Sequence, residues 1–355
     1  MKGNKGEWSE IYVFLKLLAD GKLPIGGHDL KPFQNLVYPV LSVIREEIKN
    51  QPIKYDRDEV FVTIVNDSER TNISIPISLF TEKSKELFEL IREMSSVKHF
   101  PSIEPFLRQI KCTKVKASSS QKTDIEVIIY DAKLALSPKL GFSIKSQLGS
   151  PATLLNASQA TNVEYTLSPI VDATLESEVN MIEGKSKIQR RLSLLSEKDI
   201  NIVYSQIPNA TFRNNLMLVD TAMPEIISWL LLYYYQGKGA KLSTLVKELE
   251  NQNPLAFDST GPSFYEYKIK KLLVEIALGM TPTKQWSGQY DATGGYIIVR
   301  ESGDLLCYHV YNRNLFEDYL FNNTQLDTPS SSRHKFGEIS NGKTVRLNLQ
   351  IRFCR

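Results

Sequence analysis

The residues best suited to chemistry lie on two short segments of predicted β-strand. The first segment carries Asp124 and Glu126 at the start of a β-branched run. The second, beyond a turn that contains proline and glycine, carries Ser143, Lys145 and Gln147. Side chains two residues apart share one face of a strand, so each set points to one side. A hairpin that brings these faces together would place one or two carboxylates beside an amine, the minimum set for metal-assisted attack of water on a phosphodiester.

This reaction explains why those residue types are needed. A phosphodiester resists hydrolysis because its anionic oxygens repel a nucleophile, so a hard cation must neutralise charge and activate water. Mg2+ prefers carboxylate oxygens and water as ligands, and Asp124 is the predicted principal ligand. Lys145 supplies a positive charge that can orient or deprotonate the water, and partial burial lowers the pKa of such an amine.

Further acids lie on the first predicted helix. Apolar residues recur at helical spacing over Lys5–Asp20, and a glycine follows as a suitable C-cap. A serine hydroxyl at Ser143 is a poor ligand for Mg2+, so either Glu7, Glu10 or Glu126 completes the shell, or water does. The alternative for Glu7 and Glu10 is that they only favour the positive end of the helix dipole.

Spacing alone does not separate a catalytic pair from a structural one. An aspartate at a strand start and a Ser-x-Lys on the next strand occur in many α/β proteins. There the lysine extends along the surface and the aspartate caps a turn. A short motif of this kind is therefore a hypothesis that needs further support.

Three blocks of sequence carry a resemblance that spans nearly the whole chain. They are GNKGEWSEIYVFLKLLADGKL, then TDIEVIIYDAKLALSPKLGFSIKSQLGSPATLLNASQATN, and finally TPSSSRHKFG followed by VRLNLQIRF. Together they resemble the HpaII-type family of type II restriction endonucleases, which are D...(D/E)xK-like nucleases. The resemblance implies Mg2+-dependent hydrolysis of double-stranded DNA at a short palindrome, CCGG in the type member, leaving 5'-phosphates.

The resemblance also implies roles for individual residues. By position, Asp124 and Lys145 inherit the catalytic pair, and Ser143 stands where the general nuclease motif has an acid. Glu7 gains a claim as a site residue and metal ligand. A cognate DNA methyltransferase is the implied functional partner in a restriction-modification system. A homodimer is a reasonable expectation, because two-fold protein symmetry matches a palindromic target.

Two other functions remain open from the residues themselves. One is a nonspecific or repair-type DNA nuclease that uses the same Asp124 and Lys145 pair. The other is a DNA-binding protein without chemistry, in which these two side chains form a structural ion pair. Sequence-dependent cutting separates the first from a restriction enzyme, and Mg2+-dependent turnover excludes the second.

Charge is nearly balanced over the chain. The 355 residues include 43 Lys and Arg against 40 Asp and Glu, a net charge of +3. An enzyme that scans and releases DNA needs local basic surface rather than a high global charge. Such enrichment occurs in three clusters, for which an ordinary solvated face is the alternative. The clusters are Lys111, Lys114, Lys116 and Lys122; Lys185, Lys187, Arg190 and Arg191; and Arg333, His334, Lys335, Lys343, Arg346, Arg352 and Arg355.

Readout of G·C pairs favours arginine or lysine in loops near the site. Arg333 is the first candidate, because a guanidinium fork matches guanine and the neighbouring serine hydroxyls suit phosphates. His334, Arg313 and Arg213 follow. The remaining predicted DNA contacts are Arg190, Arg191 and Asn156.

The pattern of elements predicts an α+β fold. Residues 1–236 are expected to form a restriction-endonuclease-like mixed β-sheet core flanked by helices. Residues 237–355 are expected to form a C-terminal lobe of helices and β-hairpins that assists DNA binding and recognition. The local patterns further predict a helix over Gln34–Lys49 and a short helix starting at Ser150-Pro151. In the last strand they predict a polar stripe that faces a DNA groove or water, made of Arg346, Asn348, Gln350 and Arg352.

Cysteine and histidine usage excludes several other classes. Three widely separated cysteines, Cys112, Cys307 and Cys354, fit neither a disulfide framework nor a zinc site. Four scattered histidines form no metal-binding helix motif. The N-terminus lacks an apolar signal segment, and no apolar run is long enough to span a bilayer. A cytoplasmic protein without a membrane partner is expected.

Overall fold

The computed structural model describes residues 1–48, 50–66, 71–116, 123–132 and 135–354. Helices and strands are both abundant there, so the α+β class is confirmed. The chain forms two compact units, the first from residues 1–152 and 290–319, the second from 153–289 and 320–354. The chain thus passes from one unit to the other after residues 152, 289 and 319, and not at residue 236. The division of roles between residues 1–236 and 237–355 stays a prediction.

The described residues contain eleven α-helices and eighteen strands. The helices are α1 (Lys5–Asp20), α2 (Ile77–Arg92), α3 (Glu104–Gln109), α4 (Ala173–Asn180), α5 (Lys187–Glu197), α6 (Ala210–Val219), α7 (Met223–Tyr235), α8 (Leu242–Gln252), α9 (Phe264–Leu278), α10 (Arg313–Asn322) and α11 (Ser331–His334). The strands are β1 (Lys2–Gly3), β2 (Lys22–Gly26), β3 (Pro32–Ile48), β4 (Gln51–Arg57), β5 (Phe61–Asn66), β6 (Thr71–Pro76), β7 (Lys98–His99), β8 (Ile125–Ile129), β9 (Lys139–Ser146), β10 (Thr153–Leu155), β11 (Asn162–Ser168), β12 (Asn201–Gln206), β13 (Gly295–Val299), β14 (Leu305–His309), β15 (Thr324–Leu326), β16 (Ile339–Ser340), β17 (Thr344–Asn348) and β18 (Ile351–Phe353).

A nine-stranded sheet dominates the first unit. Its order is β2-β14-β13-β9-β8-β3-β4-β5-β6, and β2 also pairs with β3. β13 runs parallel to β9, and β14 runs parallel to β2, while the other pairs are antiparallel. The sheet is therefore mixed. The parallel pairing brings Tyr296 and Ile298 beside Ser143 and Lys145, although about 150 residues separate these strands in the sequence.

Helix α1 was predicted correctly at both ends. Asn4 caps its first turn, and Gly21 ends it in the left-handed conformation with φ 63°. A glycine is favoured there because a side chain would be strained at this φ. Trp8, Phe14 and Leu18 on the helix are fully buried in the core of the first unit. The position of α1 is thus fixed by its caps and by apolar packing.

The predicted helix over Gln34–Lys49 is wrong, because Pro32–Ile48 forms strand β3. This strand pairs with β2, β4 and β8. Hydrogen bonds to its chain neighbours β2 and β4 and to the distant strand β8 outweigh a local apolar periodicity, which carries no information about pairing. Lys49, like the basic residues Lys122 and Arg355, lies outside the described residues.

The second unit contains two smaller sheets. Their orders are β12-β11-β17-β16 and β10-β18-β15. The short helix predicted to start at Ser150-Pro151 is wrong, since Thr153–Leu155 pairs with β18 as a strand. No single described helix is long and apolar enough to cross a membrane. Helices α6 and α7 together reach the required length and composition, but they bend by 105° at their break.

The polar stripe predicted for the last strand is also wrong. The chain breaks the strand between β17 and β18, and Asn348 and Gln350 are 0% and 8% exposed. Arg346 forms an ion pair with Glu164, and Arg352 forms one with Asp327. The two-residue alternation of side chains predicts the wrong exposed face here, because the pattern does not show where a strand ends. Asn348 thereby becomes an interior residue of the second unit.

A buried histidine gives the first unit a measurable pH dependence. His309 is 1% exposed, and its Nδ1 accepts a hydrogen bond of 3.0 Å from the Tyr311 amide. Its Nε2 has no hydrogen-bond partner among the described residues. Burial lowers the pKa of His309 to about 4, and the charge of Asp131 opposes this only in part.

We predict that His309 stays neutral in the folded protein until the pH approaches 4. The unfolded chain takes up this proton near pH 6.5, so acidification from 6.5 to 4 should remove about 3 kcal/mol of stability. NMR titration of the imidazole ring, assigned by the signal that disappears in His309→Asn, measures this directly. A midpoint near 6.5 in the native protein would contradict the prediction.

Candidate active site

The predicted juxtaposition of an acid, a hydroxyl and an amine is present at β8 and β9. Ile125 lies opposite Phe142 in the antiparallel pair. The Asp124 amide donates to the Phe142 carbonyl at 2.9 Å, which extends the ladder by one residue. Asp124 is thereby placed beside Ser143. Strand alternation then brings Lys145 to the same face as Ser143.

A short chain of hydrogen bonds joins these side chains. The Ser143 hydroxyl donates to Asp124 Oδ2 at 3.0 Å, and the Ile144 amide donates to the same oxygen at 2.7 Å. Lys145 Nζ donates to Ser143 Oγ at 3.0 Å. Ser143 is 4% exposed, so water does not compete for these bonds. The serine therefore bridges the acid and the amine.

Only one oxygen of the Asp124 carboxylate is used by the protein in this arrangement. Both hydrogen bonds go to Oδ2, and Oδ1 accepts none from the residues that the structure describes. The two bonds also fix the plane of the carboxylate. Oδ1 is thus held in a defined orientation and is available to a ligand.

Lys145 lies in a partly apolar environment. Its ammonium is 5.1 Å from the centre of the Tyr296 ring, on the parallel neighbour β13. Burial lowers the pKa of Lys145, while the charges of Asp124 and Glu10 act in the opposite direction. An amine in this position releases its proton more readily than an exposed lysine does.

Glu10 on α1 interacts electrostatically with Asp124 and Lys145. Burial, and then the charge of Asp124, raises the pKa of Glu10 to about 7, against the opposing charges of Arg45 and Lys116. Glu10 is half-buried between two buried neighbours in the chain, Ser9 and Ile11. The sequence left Glu10 as one of three candidate acids. The burial of its neighbours, which only the structure shows, distinguishes it from an ordinary surface glutamate.

The other two candidate acids have protein partners. Glu7 completes a capping box, in which its carboxylate accepts from the Asn4 amide at 2.8 Å. Glu126 forms an ion pair with Lys139 at 3.1 Å and is partly exposed. Glu7 thus lies in the first turn of α1, where its carboxylate takes part in a capping box that was not predicted from the sequence. The roles of Glu7 and Glu126 as metal ligands stay predictions. The catalytic role of Gln147 also stays a prediction; its backbone N–H donates to the Val299 carbonyl.

The residues present fit a divalent cation of the Mg2+ type. The described residues contain no cluster of three or more His, Cys, Asp or Glu side chains suited to a metal. Mg2+, however, binds proteins through one or two carboxylates and completes its shell with water and substrate phosphate. Asp124 and Glu10 offer two carboxylates. Burial, and then the charge of Asp124, raises the pKa of Glu10, and a cation beside both would favour its charged form.

The predicted DNA contacts are in different environments. Arg213 donates to the Ile207 carbonyl at 3.2 Å, and Arg313 donates to Glu317 at 2.7 Å. Arg190 donates to the Glu183 carbonyl from an exposed position. Asn156 is exposed, and His334 is half-buried. Arg333 is exposed, and its guanidinium forms no hydrogen bond or ion pair with the residues that the structure describes.

Arg191 differs from these residues because it is buried. It is 2% exposed, and its guanidinium donates to the carbonyls of Ile182, Asn180 and Gly337. A side chain in this position has no surface to offer to a phosphate. Its charge is used to hold backbone segments together. The Arg-Arg pair therefore contains one surface residue and one interior residue.

A carboxylate and a desolvated amine on neighbouring strands are groups that phosphodiester hydrolysis would need. Comparison with known proteins gives the class of the enzyme. Residues 4–353 match the model of the HpaII restriction endonuclease family. The type II restriction enzyme HpaII of Haemophilus parainfluenzae is 43% identical over 361 positions, which cover 99% of this chain and 98% of that enzyme. No solved structure is significantly similar.

The chain therefore belongs to the HpaII restriction endonuclease family, and the resemblance seen in the sequence is confirmed. It is a type II restriction endonuclease, a site-specific deoxyribonuclease whose substrate is DNA. Enzymes of this class generally use a divalent metal.

The interior position of Arg191 leads to a prediction about stability. Arg191→Ala leaves three carbonyls without their donor, which should cost about 3 kcal/mol or more. For a unit of this size, the melting temperature should fall by roughly 6 °C or more. Thermal unfolding followed by circular dichroism measures the change.

Arg190→Ala is the matched control for this measurement. Its exposed side chain should contribute no more than about 0.5 kcal/mol, so its melting temperature should stay near that of the wild type. Equal melting of the two variants would show that Arg191 does not support the fold.

Proposed function

We propose that this protein hydrolyses both strands of double-stranded DNA at a short palindromic site, with Mg2+ as cofactor, and leaves 5'-phosphates. CCGG, the target of the family's type member, is the first sequence to test. The observation that carries the proposal is the hydrogen-bonded chain from Asp124 through Ser143 to Lys145. The family membership supports the same reaction.

The proposed mechanism divides the work among the residues of the site. Mg2+, when bound, neutralises charge on the scissile phosphate and lowers the pKa of water. Asp124 offers Oδ1 to the cation, while Ser143 and the Ile144 amide hold Oδ2 in place. Lys145 in its neutral form accepts a proton from the attacking water, and in its charged form it stabilises negative charge that develops at phosphorus.

Ser143 takes a supporting role in this proposal. Its oxygen accepts from Lys145 and its hydrogen is donated to Asp124, so neither is directed to a metal. The acid that is absent at this position is supplied by Glu10 on α1. The hydrogen bond of 2.9 Å from Ser9 to Ser146 supports this assignment, since it holds the part of α1 that carries Glu10 against the part of β9 that carries Lys145.

The fold assignment follows from the position of the site. We propose that the nine-stranded mixed sheet of the first unit is a restriction-endonuclease-like core that performs cleavage. Asp124, Ser143, Lys145 and Glu10 all belong to that unit. The second unit carries Arg333 and is proposed to contribute to recognition.

Two partners follow from the proposed reaction. A cognate DNA methyltransferase must protect the same sequence in the host, since unmodified sites would otherwise be cut. A homodimer places two equivalent sites on the two strands of a palindrome. Sedimentation of the protein with an uncleavable duplex would distinguish the dimer from a monomer that cuts each strand in turn.

We expect Asp124→Asn and Lys145→Ala to lower the cleavage rate on the order of 10^2- to 10^4-fold. The measurement is digestion of an unmethylated plasmid of known sequence with and without Mg2+, followed by sequencing of the fragment ends. Lys139→Ala is the matched control, since Lys139 lies on the same strand but pairs with Glu126. It should cut at nearly the wild-type rate.

The fragment ends decide between the candidate functions. Discrete ends at one palindrome, lost without Mg2+, would support the restriction reaction and give its site. Ends scattered over the plasmid would instead indicate a nonspecific nuclease. DNA binding without any cutting would leave a binding protein in which Asp124 and Lys145 are structural.

A second prediction separates the three candidate acids. Glu10→Gln should lower the cleavage rate on the order of 10^2-fold and raise the Mg2+ concentration needed for half-maximal rate. Glu126→Gln should cut normally. Glu7→Gln should cut normally and keep its stability, because the side-chain oxygen of glutamine can still accept from the Asn4 amide in the capping box. Loss of cleavage in Glu7→Gln or Glu126→Gln, with Glu10→Gln active, would move the ligand to that residue.

A further inference from the structure

Arg333 is unusual among the arginines of this chain. The sequence contains fourteen arginines, of which Arg70 and Arg355 lie outside the described residues. Of the other twelve, eleven bond to a carboxylate or a backbone carbonyl. Arg333 alone, among these described residues, has a guanidinium without a partner. Its five N–H donors are available to a ligand.

Arg333 is carried by a short turn whose backbone is held at several points. The turn comprises Ser330–Lys335 and includes the single-turn helix α11. Ser330 Oγ accepts from the Arg333 amide, and the Phe336 amide donates to the Ser331 carbonyl at 3.2 Å. Lys335 adopts the left-handed conformation with φ 53°. A non-glycine residue keeps that conformation only where its surroundings impose it.

A buried asparagine pair supplies part of that constraint. Asn162 Nδ2 donates to the His334 carbonyl at 2.9 Å. Asn348 Nδ2 in turn donates to Asn162 Oδ1 at 2.6 Å. Asn162 and Asn348 are 4% and 0% exposed. The side-chain amide of Asn162 therefore bonds to His334, the last residue of α11, and is itself held in place by Asn348.

The rest of this network is also satisfied. Asn348 Nδ2 donates to the Ser158 carbonyl at 2.7 Å, and Thr161 Oγ1 donates to the same carbonyl at 2.9 Å. Buried amides are costly unless they are hydrogen-bonded, and a fully satisfied network is rigid. An apolar pair would fill the same space without orienting the turn. The two asparagines thus contribute directional hydrogen bonds that orient the turn.

The other side of the turn is less constrained. Thr328, just before it, bonds through Oγ1 to the Tyr234 hydroxyl at 2.9 Å. After Thr328, Ser330 and Ser331 line a cavity of about 650 Å3 in the second unit. Because one side of the turn borders open space, the bond from Asn162 has a large share in fixing its conformation.

We propose that Asn162 and Asn348 are positioning residues for a sequence-reading turn, Ser330–Lys335, which presents the guanidinium of Arg333 to a guanine in the major groove. This inference rests on the proposed cleavage of DNA at a specific site. Two parallel N–H groups of arginine match O6 and N7 of guanine, and no other base offers that pair of acceptors. The pairing needs the Arg333 backbone at a defined position, from which the side chain can reach the base, and the asparagine pair holds that backbone through the His334 carbonyl.

The test measures binding rather than cleavage, so that its outcome does not depend on the catalytic assignment. The full-length protein without divalent metal is incubated with a library of random duplexes, and the bound sequences give the preferred site. Competition then measures the affinity for that duplex, for duplexes with one G·C pair replaced by A·T, and for unrelated DNA. We expect Arg333→Ala to lose about 10- to 100-fold discrimination at one G·C pair, with affinity for unrelated DNA nearly unchanged.

Asn162→Ser and Asn348→Ser should lose discrimination at the same base pair as Arg333→Ala. The double variant Asn162→Ser/Arg333→Ala should lose no more than Arg333→Ala, because both changes remove one interaction. Asn180→Ser is the matched control, since Asn180 bonds to the Ile339 backbone in the same unit and does not contact the turn. It should lower stability and leave discrimination intact.

Three results would overturn the inference. They are an Arg333→Ala protein that keeps its preference at every base pair, asparagine variants that melt earlier but discriminate like the wild type, and a wild type with no preferred sequence. If plasmid cleavage fails but Arg333→Ala and Asn162→Ser lose discrimination together, the reading turn stands and the catalytic proposal falls. If cleavage is specific and Arg333→Ala discriminates normally, the reverse holds.

Discussion

The register between β8 and β9 is the constraint on which the site depends. The bond from the Asp124 amide to the Phe142 carbonyl sets an acid beside Ser143, and a slip of one residue would turn Lys145 to the opposite face. Contacts with the segment before β13 hold this register. The Gly294 amide donates to the Gly141 carbonyl at 2.7 Å, and Thr293 Oγ1 accepts from the Gly141 amide at 3.2 Å. The sheet therefore positions the site before any ligand enters.

Because Ser143 stands where the general nuclease motif has an acid, a second carboxylate must come from elsewhere in the chain. Ser143 joins Asp124 and Lys145 but brings no negative charge of its own. In the proposed site the missing charge comes from Glu10, on a helix rather than on the sheet. Its placement then depends on α1, whose ends are fixed by the Asn4 cap and by Gly21. Helix capping, which is usually a matter of stability, becomes a condition for the geometry of the site.

Local patterns were sufficient for some parts of this arrangement and not for others. The two-residue alternation placed Ser143 and Lys145 on one face, and helical spacing with a glycine gave both ends of α1. β3 was predicted as a helix because apolar spacing within one segment does not show strand pairing, and one of its partners, β8, lies far along the chain. The burial of Asn348 and Arg191 could not be predicted either, since it depends on carbonyls that only the folded chain brings near them.

The buried polar groups of the proposed cleavage site and of the proposed reading turn are compensated to different degrees. In the first, the amine of Lys145 and the carboxylate of Glu10 are only partly compensated, so burial shifts the pKa of each toward its neutral form. Groups in that condition exchange protons readily and favour an added cation. In the second unit, Asn162 bonds to the His334 carbonyl and to Asn348, and Arg191 bonds to three carbonyls and to Glu183, which favours a fixed shape. Incomplete compensation at Lys145 and Glu10 suits proton transfer and cation binding, whereas the satisfied bonds of Asn162 suit a turn whose backbone must keep one conformation.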